Sequence, residues 1–87
     1  MDLEKIRKEI DEIDKAIVEY FNKRMRLVKQ IAQYKKQNGM NISDKSREKE
    51  VLNNVTSLAD EGVKEYCKSL FSVLIEISKT YQEDTLH

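Results

Sequence analysis

Arg24, Lys35, Arg47, Glu48, Ser78 and Gln82 are polar residues set at helical spacing among apolar ones. Place the first segment on a wheel at about 100° per residue, with Ile17 as the reference. Ile6, Ile10, Ile13, Val28 and Ile31 then fall within roughly 40° of that direction. So do two cations: Arg24 lies about 20° off centre and Lys35 near the centre of the stripe. Neither has an acid four residues away. Arg24 has Tyr20 and Val28, and Lys35 has Ile31 and Gly39. An uncompensated buried charge is costly. Either acids arrive from elsewhere, the side chains snorkel to water, or the cations await an anionic ligand. Arg7 lies at the edge of the same stripe, and Asp11, four residues on, offers it a surface partner. Arg47 and Glu48 stand one turn ahead of Val51 and Leu52, where a merely exposed charged turn is the alternative. Ser78 and Gln82 are four apart and extend the stripe Cys67–Leu70–Phe71–Leu74, with end-fraying as the alternative. Together these cations, the carboxylate, the hydroxyl and the amide would line a buried site for a small, anionic, oxygen-rich molecule.

The elements that must position them are helices. Gly39 follows Lys35-Lys36-Gln37-Asn38, a basic last turn and then Asn-Gly, which reads as a helix stop. Gly62 marks a second break, and the sequence has no proline. Three helices are expected, over about residues 2–38, 44–59 and 62–82, and no strand alternation is present. Ser43 or Asp44 is the candidate N-cap of the second. The third carries the broadest apolar stripe, from Val63 to Tyr81, which predicts the deepest burial. The fold class is all-α, a single domain over 1–87. A first helix of roughly 36 residues would be about 54 Å long, whereas a compact chain of this size is roughly 30 Å across. Its overhanging apolar turns need a cover, and the simplest is a second copy. An intertwined helical homodimer with the first helix in the interface is therefore expected.

Composition removes several other functions. Sixteen Lys+Arg balance sixteen Asp+Glu, giving a formal charge of zero, which argues against a general nucleic-acid or anionic-membrane binder. One cysteine makes neither an internal disulfide nor a Cys-rich zinc site. The one histidine, His87, is the last residue, which disfavours a His-based metal site or triad. The charged N-terminus lacks the apolar core of a signal peptide, and no stretch approaches the roughly 20 apolar residues of a membrane span. A cytoplasmic protein is expected. Starting at Met1 and ending soon after the third helix, the chain reads as free-standing. Cys67 reads as a small core residue, and Tyr20, Tyr34, Tyr66 and Tyr81 as amphipathic packing.

The ordered runs I-R-K-E-I-D-E-I-D at 6–14, N-K-R at 22–24, I-A-Q-Y-K at 31–35, D-K-S-R-E-K-E-V-L at 44–52 and E-I-S-K-T-Y-Q at 76–82 carry a resemblance. Each run is weak alone; their joint order and spacing resemble the all-helical chorismate mutase family over nearly the whole chain. The resemblance implies an intertwined homodimer with two active sites, each completed by an arginine from the other chain's long helix. It implies the unimolecular [3,3]-sigmatropic rearrangement of chorismate to prephenate, in aromatic amino-acid biosynthesis, with no metal or cofactor. It assigns Arg24, and Arg7 from the second chain, to the substrate carboxylates. Lys35 and Gln82 are assigned to the ether oxygen, and Glu48 to the ring hydroxyl, with Asp44 contributing through its backbone. Arg47 and Ser78 fall near the carboxylate region, and Val28, Ile31, Val51 and Ile75 form apolar walls. Association with another enzyme of the pathway is a further implication.

Two rivals remain open at this point. Isochorismate pyruvate lyases resemble the same family and use a similar charged pocket; Glu48 as a hydroxyl acceptor favours the mutase. A non-catalytic helical dimerisation or regulatory module is the other, and it leaves the inward polar set unexplained, since such groups only cost stability in a plain helical core.

Overall fold

Asp2 accepts hydrogen bonds from the Glu4 and Lys5 amides and so caps the first helix, α1, Leu3–Gln37. The fold comes from a computed structural model that describes residues 2–86; Met1 and His87, and the expectation attached to His87, lie outside the described residues. α1 stops where the sequence says it should. Gly39 adopts φ 62°, the left-handed conformation that glycine takes without penalty. The Met40 amide donates to the Lys35 carbonyl at 2.8 Å and the Gly39 amide to the Lys36 carbonyl at 3.4 Å, a Schellman closure.

A short loop leads to α2, Lys45–Leu58, and Asp44 rather than Ser43 is its cap, accepting from the Arg47 amide at 3.0 Å. A 3-10 turn over Glu61–Val63 then feeds α3, Lys64–Thr85. The third helix therefore starts as a tight turn around Gly62 and runs three residues beyond the expected Gln82. All the helices of the described residues follow the expected order, and no strand is present among those residues.

α3 packs along both α1 and α2, which do not pack directly on each other among the described residues. The gap between α1 and α2, floored by α3, is where the polar stripe residues meet. The chain is elongated, 55 × 25 × 15 Å with a radius of gyration of 16.0 Å; a compact chain of this length would have about 12 Å. Among the described residues only Val28, Ala32 and Ile75 form a buried apolar core. The stripe of α1 divides. Its C-terminal half seats Val28 and Ala32 on α3, while Ile10, Ile13 and Ile17 are 49%, 58% and 59% exposed. Among the described residues the third helix holds the most buried positions, Ile75, Ser78 and Gln82, as its broader stripe predicts, while Tyr66, Leu70 and Ile77 are exposed because a single chain supplies neighbours for one face only. No helix among the described residues is long and apolar enough to cross a membrane.

Candidate active site

The gap encloses a cavity of about 210 Å³ lined by Arg24, Lys35, Asp44, Arg47, Glu48, Ser78 and Gln82. Its apolar walls include Val28, Ile31, Val51 and Ile75. Each helix contributes by its register. On α1, Arg24, Val28, Ile31 and Lys35 follow one another at steps of four, three and four, so they face the same way. On α2 the first turn carries Arg47 and Glu48 beneath the Asp44 cap. On α3, Ile75, Ser78 and Gln82 form the buried face.

The two α1 cations have neutral partners only. The Arg24 guanidinium donates to Ser78 Oγ at 2.5 Å, and that hydroxyl donates onward to the Leu74 carbonyl at 2.8 Å. Burial, and then the neighbouring Arg47 charge, lower the Arg24 pKa from its ordinary value. Lys35 Nζ donates to the Ile42 carbonyl at 2.7 Å. No carboxylate pairs with either cation among the described residues. Of the alternatives the sequence leaves open, compensation by acids from elsewhere fails, because Glu48 at the cavity wall is engaged by Lys79 at 3.2 Å. Fraying of α3 fails as well: Ser78 and Gln82 are 6% and 7% exposed, within the helix. Gln82 Oε1 is buried without a hydrogen-bond partner, an amide with unused capacity at the cavity wall.

Arg47 has two aspects. It lines the cavity, yet its side chain is mostly exposed and pairs with Glu50, so the exposed-turn alternative holds in part. Arg7 lies outside the site. Its partner is Glu4 at 3.1 Å rather than the expected Asp11. Seventeen residues separate it from Arg24, roughly 25 Å along the same helix. Two cavity-lining residues escaped sequence reasoning: Ile42, whose carbonyl takes the Lys35 hydrogen bond, and Lys79, which bridges Glu48 at 3.2 Å and Glu76 at 2.9 Å. For Lys79 the available signal was its place one turn after Ile75, on the same helix face. Burial pushes Glu48 upward, but the Lys79 hydrogen bond, the Lys45 and Lys79 charges and the Asp44 amide outweigh it, so its pKa is lowered. The Glu76 and Glu48 hydrogen bonds raise Lys79. No group of three His, Cys, Asp or Glu side chains among the described residues is placed to hold a metal ion.

Two cations without carboxylate partners, together with a carboxylate, around an apolar-walled cavity are suited to holding a small anionic molecule that also carries a hydrogen-bond donor. Residues 6–83 match the family described as chorismate mutase type II. The chain belongs to that family. This chorismate mutase family member is 36% identical to a chorismate mutase of Methanocaldococcus jannaschii, over 97% of this chain and 87% of that protein. It is 39% identical to the bifunctional chorismate mutase/prephenate dehydratase of Buchnera aphidicola subsp. Schizaphis graminum, over 99% of this chain. It is 40% identical to the counterpart from subsp. Acyrthosiphon pisum, over 92% of this chain. The chain spans only 23% and 21% of those two bifunctional proteins. No solved structure matches it.

Proposed function

We propose that this chain is a chorismate mutase, an isomerase that rearranges chorismate to prephenate. The observation that carries the reading is the pair of cavity cations, Arg24 and Lys35, that meet only a hydroxyl and a carbonyl. Chorismate brings two carboxylates, an ether oxygen and a ring hydroxyl, and the cavity offers a complement to all of them but one carboxylate. The bifunctional relatives support a role in a pathway whose next enzyme consumes prephenate.

The reaction breaks the ether C–O bond and forms a C–C bond within one molecule, so the protein's task is conformational and electrostatic. Arg24 grips a carboxylate through paired N–H donors, which fixes direction as well as place. Val28, Ile31, Val51 and Ile75 confine the folded substrate, removing the orientation cost of its chair-like conformer. Glu48 accepts from the ring hydroxyl. As the C–O bond opens, negative charge grows on the ether oxygen. Lys35 and the amide group of Gln82 donate to it from fixed positions, an effect typically worth about 2.7–4 kcal/mol per donor.

The second carboxylate falls to Arg7 of a second copy. Two features support a homodimer built through α1. Arg7 is too far along its own helix to reach its own cavity, and Ile10, Ile13 and Ile17 lie exposed on the same stretch. A partner laid along this stretch would cover the apolar face and bring Arg7 to the neighbouring site.

The test is chorismate consumption by the purified protein with products identified. Saturable formation of prephenate is the expected result. Failure to consume chorismate, or release of pyruvate from isochorismate in its place, overturns the assignment.

A further inference from the structure

Glu48 is held unevenly. Its Oε1 accepts from Lys79 at 3.2 Å and lies 3.8 Å from Lys45. Its Oε2 accepts from the Ser43 hydroxyl at 3.4 Å, the far limit of a hydrogen bond. Lys79 is itself anchored: the exposed Glu76 holds it at 2.9 Å from outside the cavity, while Lys79 and Glu48 are both more than four-fifths buried at the side chain. An acid on the outside of α3, a lysine at the wall and an acid from α2 thus form a strut across the α2–α3 interface. The strut holds one oxygen of Glu48 with a charged partner and leaves the other without one.

We propose that Lys79 is a positioning residue: by holding Oε1, it fixes the rotamer of Glu48 and keeps its carboxylate at the cavity wall as the acceptor for the substrate's ring hydroxyl. The inference rests on the mutase reading for the identity of the hydroxyl, and on the contacts above for the restraint of the carboxylate. Without Lys79, a carboxylate at the end of a two-methylene side chain has several rotamers open to it, and only Lys45, Ser43 and the Asp44 amide remain to restrain it. A bare α3 wall would also leave Glu48 more inclined to take up a proton, which weakens it as an acceptor. The charged groups around Glu48 are Lys45, Asp44 and Arg47 on its own side, Lys79 and Glu76 from α3, and Arg24 and Lys35 across the cavity from α1. Only Lys79 and Lys45 among the cations touch it.

The experiment compares wild type, Lys79→Met, Lys79→Gln and Lys79→Arg in the intact protein. Two readouts are taken: the pH dependence of chorismate turnover, and the titration of the Glu48 carboxyl carbon by NMR without substrate. In both neutral variants the Glu48 titration and the acid limb of kcat/KM move to higher pH. At neutral pH, kcat/KM falls about ten- to a hundredfold, as expected when a contact group is misplaced. Lys79→Arg restores the wild-type titration and most of the rate. An unmoved Glu48 titration in Met and Gln variants of normal helicity overturns the proposal, as does equal loss of rate in the Arg and Met variants. A wild type that does not turn over chorismate overturns the mutase reading and this role with it. An active wild type beside an equally active Lys79→Met overturns this role alone.

Discussion

Arg7 and Arg24 can be asked to rescue one another. If each site draws Arg24 from one copy and Arg7 from the other, Arg7→Ala and Arg24→Met are defects on opposite sides of the same pocket. A carboxylate clamp comprises two charge-assisted hydrogen bonds of about 1.5–3 kcal/mol each. Losing one clamp removes about 3–6 kcal/mol, or two to four powers of ten in kcat/KM at about 1.36 kcal/mol per decade. Now mix the two variants in equal amounts and let subunits exchange. Half the dimers are mixed, and each mixed dimer has one site with both arginines and one with neither. About a quarter of wild-type activity should return, some twenty-five-fold or more above either parent given the clamp energies. The control is a mixture of Arg24→Met with Lys35→Ala. Both defects lie on the same side of the pocket, every mixed site keeps one of them, and no rescue follows. The assay is the initial rate of chorismate loss, with mixed dimers confirmed by native mass spectrometry. Confirmed mixed dimers without recovery, or recovery in the control pair as well, would refute the shared site. So would a chain that sediments as a monomer while fully active.

Three other outcomes follow from the same geometry. Lys35→Ala should lower kcat by roughly two to three powers of ten, because it removes a fixed donor to the developing oxyanion; near-normal kcat in a folded variant would break that assignment. Gln82→Glu should become active only as its new carboxyl protonates, since a carboxylate cannot donate, whereas wild type should lack a steep rise below pH 6; a flat profile for the variant would count against Gln82 as a donor. Glu48 sits below its ordinary value of 4.5, so its contribution to stability is complete above about that pH and is lost as the pH falls through its folded value. The stability gap between wild type and Glu48→Gln should therefore be constant from neutral pH to about 5 and shrink below it, as urea melts at each pH would read; a gap that widens on acidification would contradict the Lys79 and Lys45 contacts.

Much of this was legible in the sequence because helical periodicity and the caps agree. Asp2, Asp44 and Gly39 each fix a boundary by a local hydrogen bond or a backbone conformation, so the elements could be read without knowledge of their packing. The inward direction of Arg24, Lys35, Ser78 and Gln82 was legible for the same reason. What a residue meets across a gap was not. Arg7 found Glu4 rather than Asp11 because both lie within one turn of it, and the wheel does not rank them. Lys79 escaped notice because a lysine flanked by Glu76 reads as an ordinary surface pair. Only the arrival of α2 against α3 gives it Glu48 as a second partner. Local rules describe one helix at a time, and the strut is a property of two.

The cost of the site explains the shape of the chain. Placing Arg24 and Lys35 on the apolar stripe of α1, and Ser78 and Gln82 on that of α3, removes from the core the positions that would have packed α1 against α2. The buried apolar core that remains among the described residues is Val28, Ala32 and Ile75, little for a chain of 87 residues whose folding must offset about 1–2 kcal/mol of backbone entropy per residue. Apolar burial contributes about 25 cal/mol for each Å² removed from water, and the largest reserve of uncovered apolar side chains lies on the N-terminal half of α1. A second copy seated there would supply the missing core and the missing Arg7 together. Assembly and catalysis then draw on the same helix, and a substitution such as Ile13→Glu should lower both the melting temperature and turnover while touching no residue of the cavity.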